Sequence, residues 1–119
     1  MPTSVENVVI IGTGCAGLTA AIYTARASLA PLLVTGMAVG GHMSITTDVE
    51  NYPGFADVIQ GPWLMDQMRL QAEHVGTRMI NDLIVEVDLA RRPFRCTGDS
   101  GDVYTADALI VAIGPQARW

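Results

Sequence analysis

Gly12, Gly14 and Gly17 stand at the spacing Gly-x-Gly-x-x-Gly inside Gly12-Thr13-Gly14-Cys15-Ala16-Gly17. That spacing suits one chemistry, the holding of a dinucleotide's pyrophosphate by backbone N–H groups. The first glycine permits a tight turn, the second lets the backbone approach the phosphates without a Cβ, and the third lets a helix pack close to a strand. The anion then rests at the positive end of a helix dipole. A second set of polar groups lies downstream. Thr35-Gly36 offers a hydroxyl for a ribose, Gly40-Gly41 permits close backbone approach, and Thr46, Thr47 and Asn51 supply hydrogen bonds. Asp48 and Glu50 read as solvated carboxylates. His42 and His74 have no partners at metal-ligand spacing, so no metal site is expected. Cys15 and Cys96 form no CxxC pair and read as reduced, packed thiols, with the helix dipole expected to lower the pKa of Cys15.

The motif needs a strand before it and a helix after it, and the flanking residues supply both. Val8-Val9-Ile10-Ile11 is a β-branched run, and Leu18, Ala21, Ile22 and Ala25 recur at helical spacing, predicting a helix from Gly14 to about Ser28. Leu32-Leu33-Val34-Thr35 is a second strand, so residues 8 to 35 form a βαβ unit with parallel pairing. At the end of that strand such folds often carry an acid for the ribose, and Thr35 stands there instead. Gly36 to Gly61 reads as a long irregular loop turned at Tyr52-Pro53-Gly54, a length that usually signals function. Pro62 opens a helix of about 14 residues presenting Leu64, Met65, Met68, Ala72 and Val75 and closing at Gly76. Thr77 to Ile80 is a short strand. Ile84–Asp88, Pro93–Thr97 and Val103–Thr105 then read as a three-stranded antiparallel meander capping one face of the parallel sheet. Asp107 to Gly114 is a nearly continuous apolar strand, expected to be covered on both faces. Its end, Ala112 to Pro115, is expected beside the Gly12 turn. The fold class is therefore α/β, a Rossmann-like domain with a mainly parallel sheet, flanking helices and a meander.

At 119 residues the chain holds one core. Hydrophobic residues make up 50% and charged residues 16%, which excludes a disordered chain and predicts exposed apolar surface and a homodimer, checked by size-exclusion chromatography. A net charge of −5 with seven Lys plus Arg argues against nucleic acid and anionic membrane as partners. No apolar run reaches the ~20 residues of a membrane span, and the first residues do not read as a signal peptide, so a cytoplasmic location is expected.

GTGCAG followed by LTAAIYTARA, then LLVTGMAVGGHMSITTDVENYPGF, GPWLMDQM, VDLARRPFR and ADALIVAIGPQARW resemble, in order and spacing, the FAD-binding half of low-molecular-weight bacterial thioredoxin reductases. The resemblance spans Val8 to Trp119. It implies FAD as cofactor, with NADPH bound in a second domain that carries the redox CxxC, and thioredoxin as disulfide substrate. On that basis residues 1–119 are a partial FAD-binding domain with no catalytic residue of their own and no turnover alone. It further implies that Gly12, Thr13, Gly14, Cys15, Ala16 and Gly17 hold the pyrophosphate, and Thr35 with Gly36 the adenosine ribose. Gly40, Gly41, His42, Met43, Thr47 and Asn51 then line the flavin and ribityl side, Ile84 lies near adenine, and Ala112 and Gly114 close the pocket. The family usually carries Pro at Cys15, Gln at His42 and Thr at Ile113. Loss of the Thr hydroxyl removes a hydrogen bond of about 0.5–1.5 kcal/mol net, so a weakened hold on flavin is expected. Two other readings fit the same residues: a standalone FAD-binding module without turnover, and another FAD oxidoreductase of this fold, such as a ferredoxin-NADP reductase.

Overall fold

The computed structural model describes residues 4–35, 48–49 and 52–113. Ten elements follow in order: β1 (Val5–Ile11), α1 (Cys15–Arg26), β2 (Leu32–Val34), β3 (Asp48–Val49), β4 (Ile59–Gln60), α2 (Gly61–His74), β5 (Arg78–Ile80), β6 (Ile84–Asp88), β7 (Phe94–Gly98) and β8 (Val103–Val111). Six strands make one sheet in the order β5-β2-β1-β8-β7-β6, and β3 pairs with β4 as a separate short ladder. The β5-β2-β1-β8 portion is parallel, with Val9 opposite Leu32 and Leu109, and Ile11 opposite Val34 and Val111. The β8-β7-β6 portion is antiparallel. This is the mixed α/β fold read from the sequence.

Strand alternation sends β1 to two cores. Val8 and Ile10 face the helices, packing with Leu18 and Ala21 of α1 and Leu64, Met65, Met68 and Ala72 of α2. Val9 and Ile11 face the other way, packing with Leu32, Val34, Cys96, Tyr104 and Ala106. The meander thus contributes Cys96, Tyr104 and Ala106 to the core on the side opposite the two helices, within the same six-stranded sheet. The β7–β8 turn closes at Gly101, where φ is +96°.

Three features differ from the sequence reading. The meander's third strand and the terminal apolar strand are one element, β8, in which Val103 to Ala106 pair antiparallel with β7 and Thr105 to Val111 pair parallel with β1. A single nine-residue strand carries the chain from one sheet portion into the other. Second, the apolar end of β8 is not covered on both faces, since Ala108 is exposed and Val111 is 57% exposed. Its hydrophobicity exceeds what these residues bury. Third, the long connection before α2 is not wholly irregular: Asp48 pairs with Gln60 and Val49 with Ile59, and the Gln60 amide donates to the Asp48 carboxylate at 3.1 Å. Two-residue strands carry too little periodicity to be seen in sequence. Val85, Leu89 and Val111 are more than half exposed, the apolar surface that the composition predicts. No helix among the described residues is long and apolar enough to cross a membrane.

Candidate functional site

The turn from β1 into α1 is set by what its glycines meet. Gly12 has φ +120°, and a Cβ built there would run into the carbonyl oxygen of Ala112. Its N–H donates to the Val34 carbonyl at 2.9 Å, and the Ala112 N–H donates to the Ile11 carbonyl at 2.8 Å, so the turn is clamped between β2 and the end of β8. Gly17 is buried, and a Cβ there would run into the Gly12 carbonyl, with the Ala112 Cβ 3.8 Å away. Gly14 differs. It is the N-cap of α1, with φ −74° and ψ −174°, an extended conformation open to any residue, and a Cβ there would meet no described atom within 4 Å. The chain itself needs glycine at 12 and 17. Among the described residues, nothing requires one at 14.

The N-terminus of α1 has no side-chain cap among the described residues, and no acid stands in its first turn, which leaves the dipole's positive end uncompensated by this segment. Cys15 is half-buried against the helix-side core, and Ala16 is exposed. Burial pushes the Cys15 thiol above its ordinary pKa by more than the hydrogen bond from its own N–H lowers it. The shift is upward, opposite to the direction expected from the sequence. Cys96, buried in β7, is pushed up by burial as well, and both thiols are free. His74 is exposed at the end of α2.

A cleft of about 770 Å³ opens at the carboxyl ends of β1, β2 and β5, lined by Thr13, Leu18, Thr35, Pro62, Trp63, Met65, Asp66, Arg69, Glu73, Met79 and Asn81. Thr13, Thr35 and Asn81 are among the first residues beyond those three strands, the place where open α/β sheets take ligands. Sequence reasoning found Thr13 and Thr35 and missed the α2 side of the cleft. There Arg69 lies between Asp66, at 2.7 Å, and Glu73, at 3.3 Å. The i, i+3 and i, i+4 spacing of these charges was the available signal. Trp63 stacks edge-on with Phe55, ring centroids 5.8 Å apart, at the cleft's rim.

Thr35 is tied to the segment after β5: its hydroxyl donates to the Asp82 carbonyl at 3.2 Å and accepts from the Asp82 N–H at 3.1 Å. One acceptor lone pair of the hydroxyl remains. Ile84 opens β6 and packs toward the meander-side core instead of lining the cleft. Ala112 lies beside Gly12 and Gly17, where the topology predicts it. Gly36, Gly40, Gly41, His42, Met43, Thr47, Asn51 and Gly114 lie outside the described residues.

Asp82 itself is a junction that the sequence did not reveal. Its carboxylate accepts from the Ser100 hydroxyl and the Tyr104 hydroxyl, both at 2.6 Å, from the Leu83 N–H at 2.8 Å and from the Ser100 N–H at 3.2 Å. The bonds from Ser100 and then Tyr104 hold the Asp82 carboxyl below its ordinary pKa. Burial, then the bond to Asp82, pushes the Tyr104 phenol up from 10.0 to about 12. The two shifts act on opposite limbs. A depressed carboxyl contributes stability above its unfolded value of about 3.9, which is lost as pH falls through the folded value. A raised phenol contributes stability below pH 10.0, lost as pH rises through about 12. Urea unfolding across pH is expected to show both slopes for the wild type, and Tyr104→Phe to lose the alkaline one while weakening the acid one.

The model of the pyridine nucleotide-disulphide oxidoreductase family matches residues 6–119. The chain is 58% identical over 113 residues to a thioredoxin reductase of Rickettsia bellii, covering 95% of this chain and 36% of that protein. It is 52% identical over 114 residues to a thioredoxin reductase of Vibrio cholerae, covering 96% and 36%. Among solved structures, thioredoxin reductase from Giardia duodenalis superposes with a TM-score of 0.85 at 40% identity, covering 91% of this chain and 35% of that one. The thioredoxin reductase of Streptococcus pyogenes gives 0.88 at 31% identity, covering 99% and 38%. The chain spans about a third of the length of the curated relatives it matches.

Proposed function

Because the chain belongs to the pyridine nucleotide-disulphide oxidoreductase family, we propose that it is the FAD-binding portion of a thioredoxin-reductase-like flavoprotein. In that reading electrons pass from NADPH through FAD to a disulfide and on to thioredoxin. The observation that carries it is Gly14: a residue that its backbone conformation and the described residues around it leave free to bear a side chain bears none, at an end of α1 that no described side chain caps. A turn serving only the fold gains from Ser, Asp or Asn at that position. A pyrophosphate laid on the N–H groups of the first helical turn accounts for glycine there.

The residues present fit such a group. Gly14 keeps a Cβ out of the cradle, the N–H groups of Cys15, Ala16 and Gly17 would donate to the phosphates, and Thr35 keeps one lone pair that would accept from a ribose hydroxyl. FAD supplies two-electron transfer when bound. The chain's own work is positioning, since the clamp of Gly12 between Val34 and Ala112 fixes the cradle on the sheet. Cys15 and Cys96 are free and lie apart, one at the cradle and one in the core. Gly36, Gly40, Gly41, His42, Met43, Thr47, Asn51 and Gly114 belong to the same proposed site.

Titration of FAD into the chain tests the proposal. Saturable binding of one FAD per chain, read as quenching of flavin and tryptophan fluorescence, is expected, with no NADPH oxidation by this portion alone. A preparation in which added FAD produces no saturable change in either fluorescence, and which is colourless once free FAD is removed, overturns the cofactor and the site together.

A further inference from the structure

Three elements meet at Asp82, and two of them carry residues that the family resemblance places at the adenosine, Thr35 and Ile84. Its backbone holds the Thr35 hydroxyl through two hydrogen bonds, at the end of β2. Its carboxylate accepts four hydrogen bonds, one from Leu83 and the others from Ser100 and Tyr104 of the meander. Gly98 leaves the space in which that carboxylate lies, because a Cβ at Gly98 would run into it. The Asp99 N–H donates to the Leu83 carbonyl at 2.7 Å, closing the turn over the same segment. Ile84 follows two residues later as the first residue of β6.

We propose that Asp82 is a positioning residue for the adenosine end of the cofactor site, fixing the Thr35 hydroxyl and the Ile84 backbone relative to each other. The inference rests on the FAD reading of the cradle. Its physical basis is that a half-buried carboxylate with four donors rigidifies what it touches. The groups it fixes are ones a ligand would use, and a binding site held by such a supporting shell loses affinity when the shell loosens. Without the carboxylate, the segment from Asn81 to Ile84 keeps its chain connection but not its anchor on Ser100 and Tyr104. The Thr35 hydroxyl then loses a fixed orientation.

ADP, the adenosine-diphosphate half of FAD, isolates this end of the site. ADP and FAD are titrated into the wild type, Asp82→Ala, Asp82→Asn and Met68→Ala, at a temperature where circular dichroism shows all four folded. Met68 is a buried core residue of α2 outside the junction, and its truncation supplies a destabilised control. Asp82→Ala is expected to weaken ADP and FAD by the same factor, about tenfold or more, with Met68→Ala within about twofold of the wild type. Asp82→Asn, which keeps an acceptor for the Leu83 and Ser100 N–H groups, is expected to fall between. Binding by Asp82→Ala equal to the wild type overturns the inference, as does an equal loss in Met68→Ala. A wild type that binds neither ligand overturns the cofactor reading itself, and the inference falls with it.

Discussion

Gly12→Ala is expected to destabilise the domain by about 3 kcal/mol or more, measured as a fall in the urea midpoint with an unchanged slope. Two costs combine. At φ +120° an L side chain is strained, and its Cβ would occupy the position of the Ala112 carbonyl oxygen. The structure has little freedom to relax. Ile11 and Ala112 are joined by a backbone hydrogen bond, the register of β1 on β8 runs unbroken from Val8 to Ile11, and Gly12 is also bonded to Val34. Moving Ala112 away breaks the parallel ladder that buries Val9 and Ile10, both fully buried. Gly76→Ala separates the two costs: φ there is +106°, but a Cβ meets no described atom within 4 Å, so about 1 kcal/mol is expected. A Gly12→Ala chain as stable as Gly76→Ala would show that Ala112 yields easily and that the clamp is not rigid.

The parts of the fold written by local chemistry were legible. A β-branched run, three spaced glycines and an Ala-rich helical period specify β1, the turn and α1 within adjacent residues, and Pro62 with the Leu64-Met65-Met68-Ala72 face specifies α2. What failed depends on partners distant in sequence. Val103–Thr105 and the apolar run that opens at Asp107 read as separate strands, yet Val103 to Val111 form one, in which Asp107 is exposed and its carbonyl accepts from Arg92 at 3.1 Å. The run Ala108-Leu109-Ile110-Val111 signals a demand for burial without naming what meets it, and here Val111 stays exposed.

The site divides in the same way. The glycine turn is a local motif and its placement beside Ala112 follows from topology. Thr35 was found as a hydroxyl at a strand end, but its two bonds to Asp82, 47 residues away, have no trace in sequence spacing. The role of Asp82 appears only when the meander folds back and brings Ser100 and Tyr104 to it. Its position just after a parallel strand was the one available clue, because carboxyl ends of such strands are where ligand-facing residues gather.

Gly14→Asp is expected to move stability and binding in opposite directions. Gly14 already has the extended backbone of an N-cap, so an aspartate there adopts no strained conformation and meets no described atom. Its carboxylate accepts from the second or third helical N–H and complements the dipole, a gain of roughly 0.5 kcal/mol over glycine. The same carboxylate occupies the N–H groups that a pyrophosphate needs and sets a negative charge beside it. FAD affinity is therefore expected to fall about 100-fold or more, equivalent to roughly 2.7 kcal/mol. Thermal unfolding and FAD titration of one preparation read both effects. A variant that gains stability and keeps FAD would place the phosphates elsewhere, and one that loses stability would mean that Gly14 serves the fold after all. Gly12 and Gly14 are two residues apart, yet the first answers to Ala112 and the second, on this account, to the ligand.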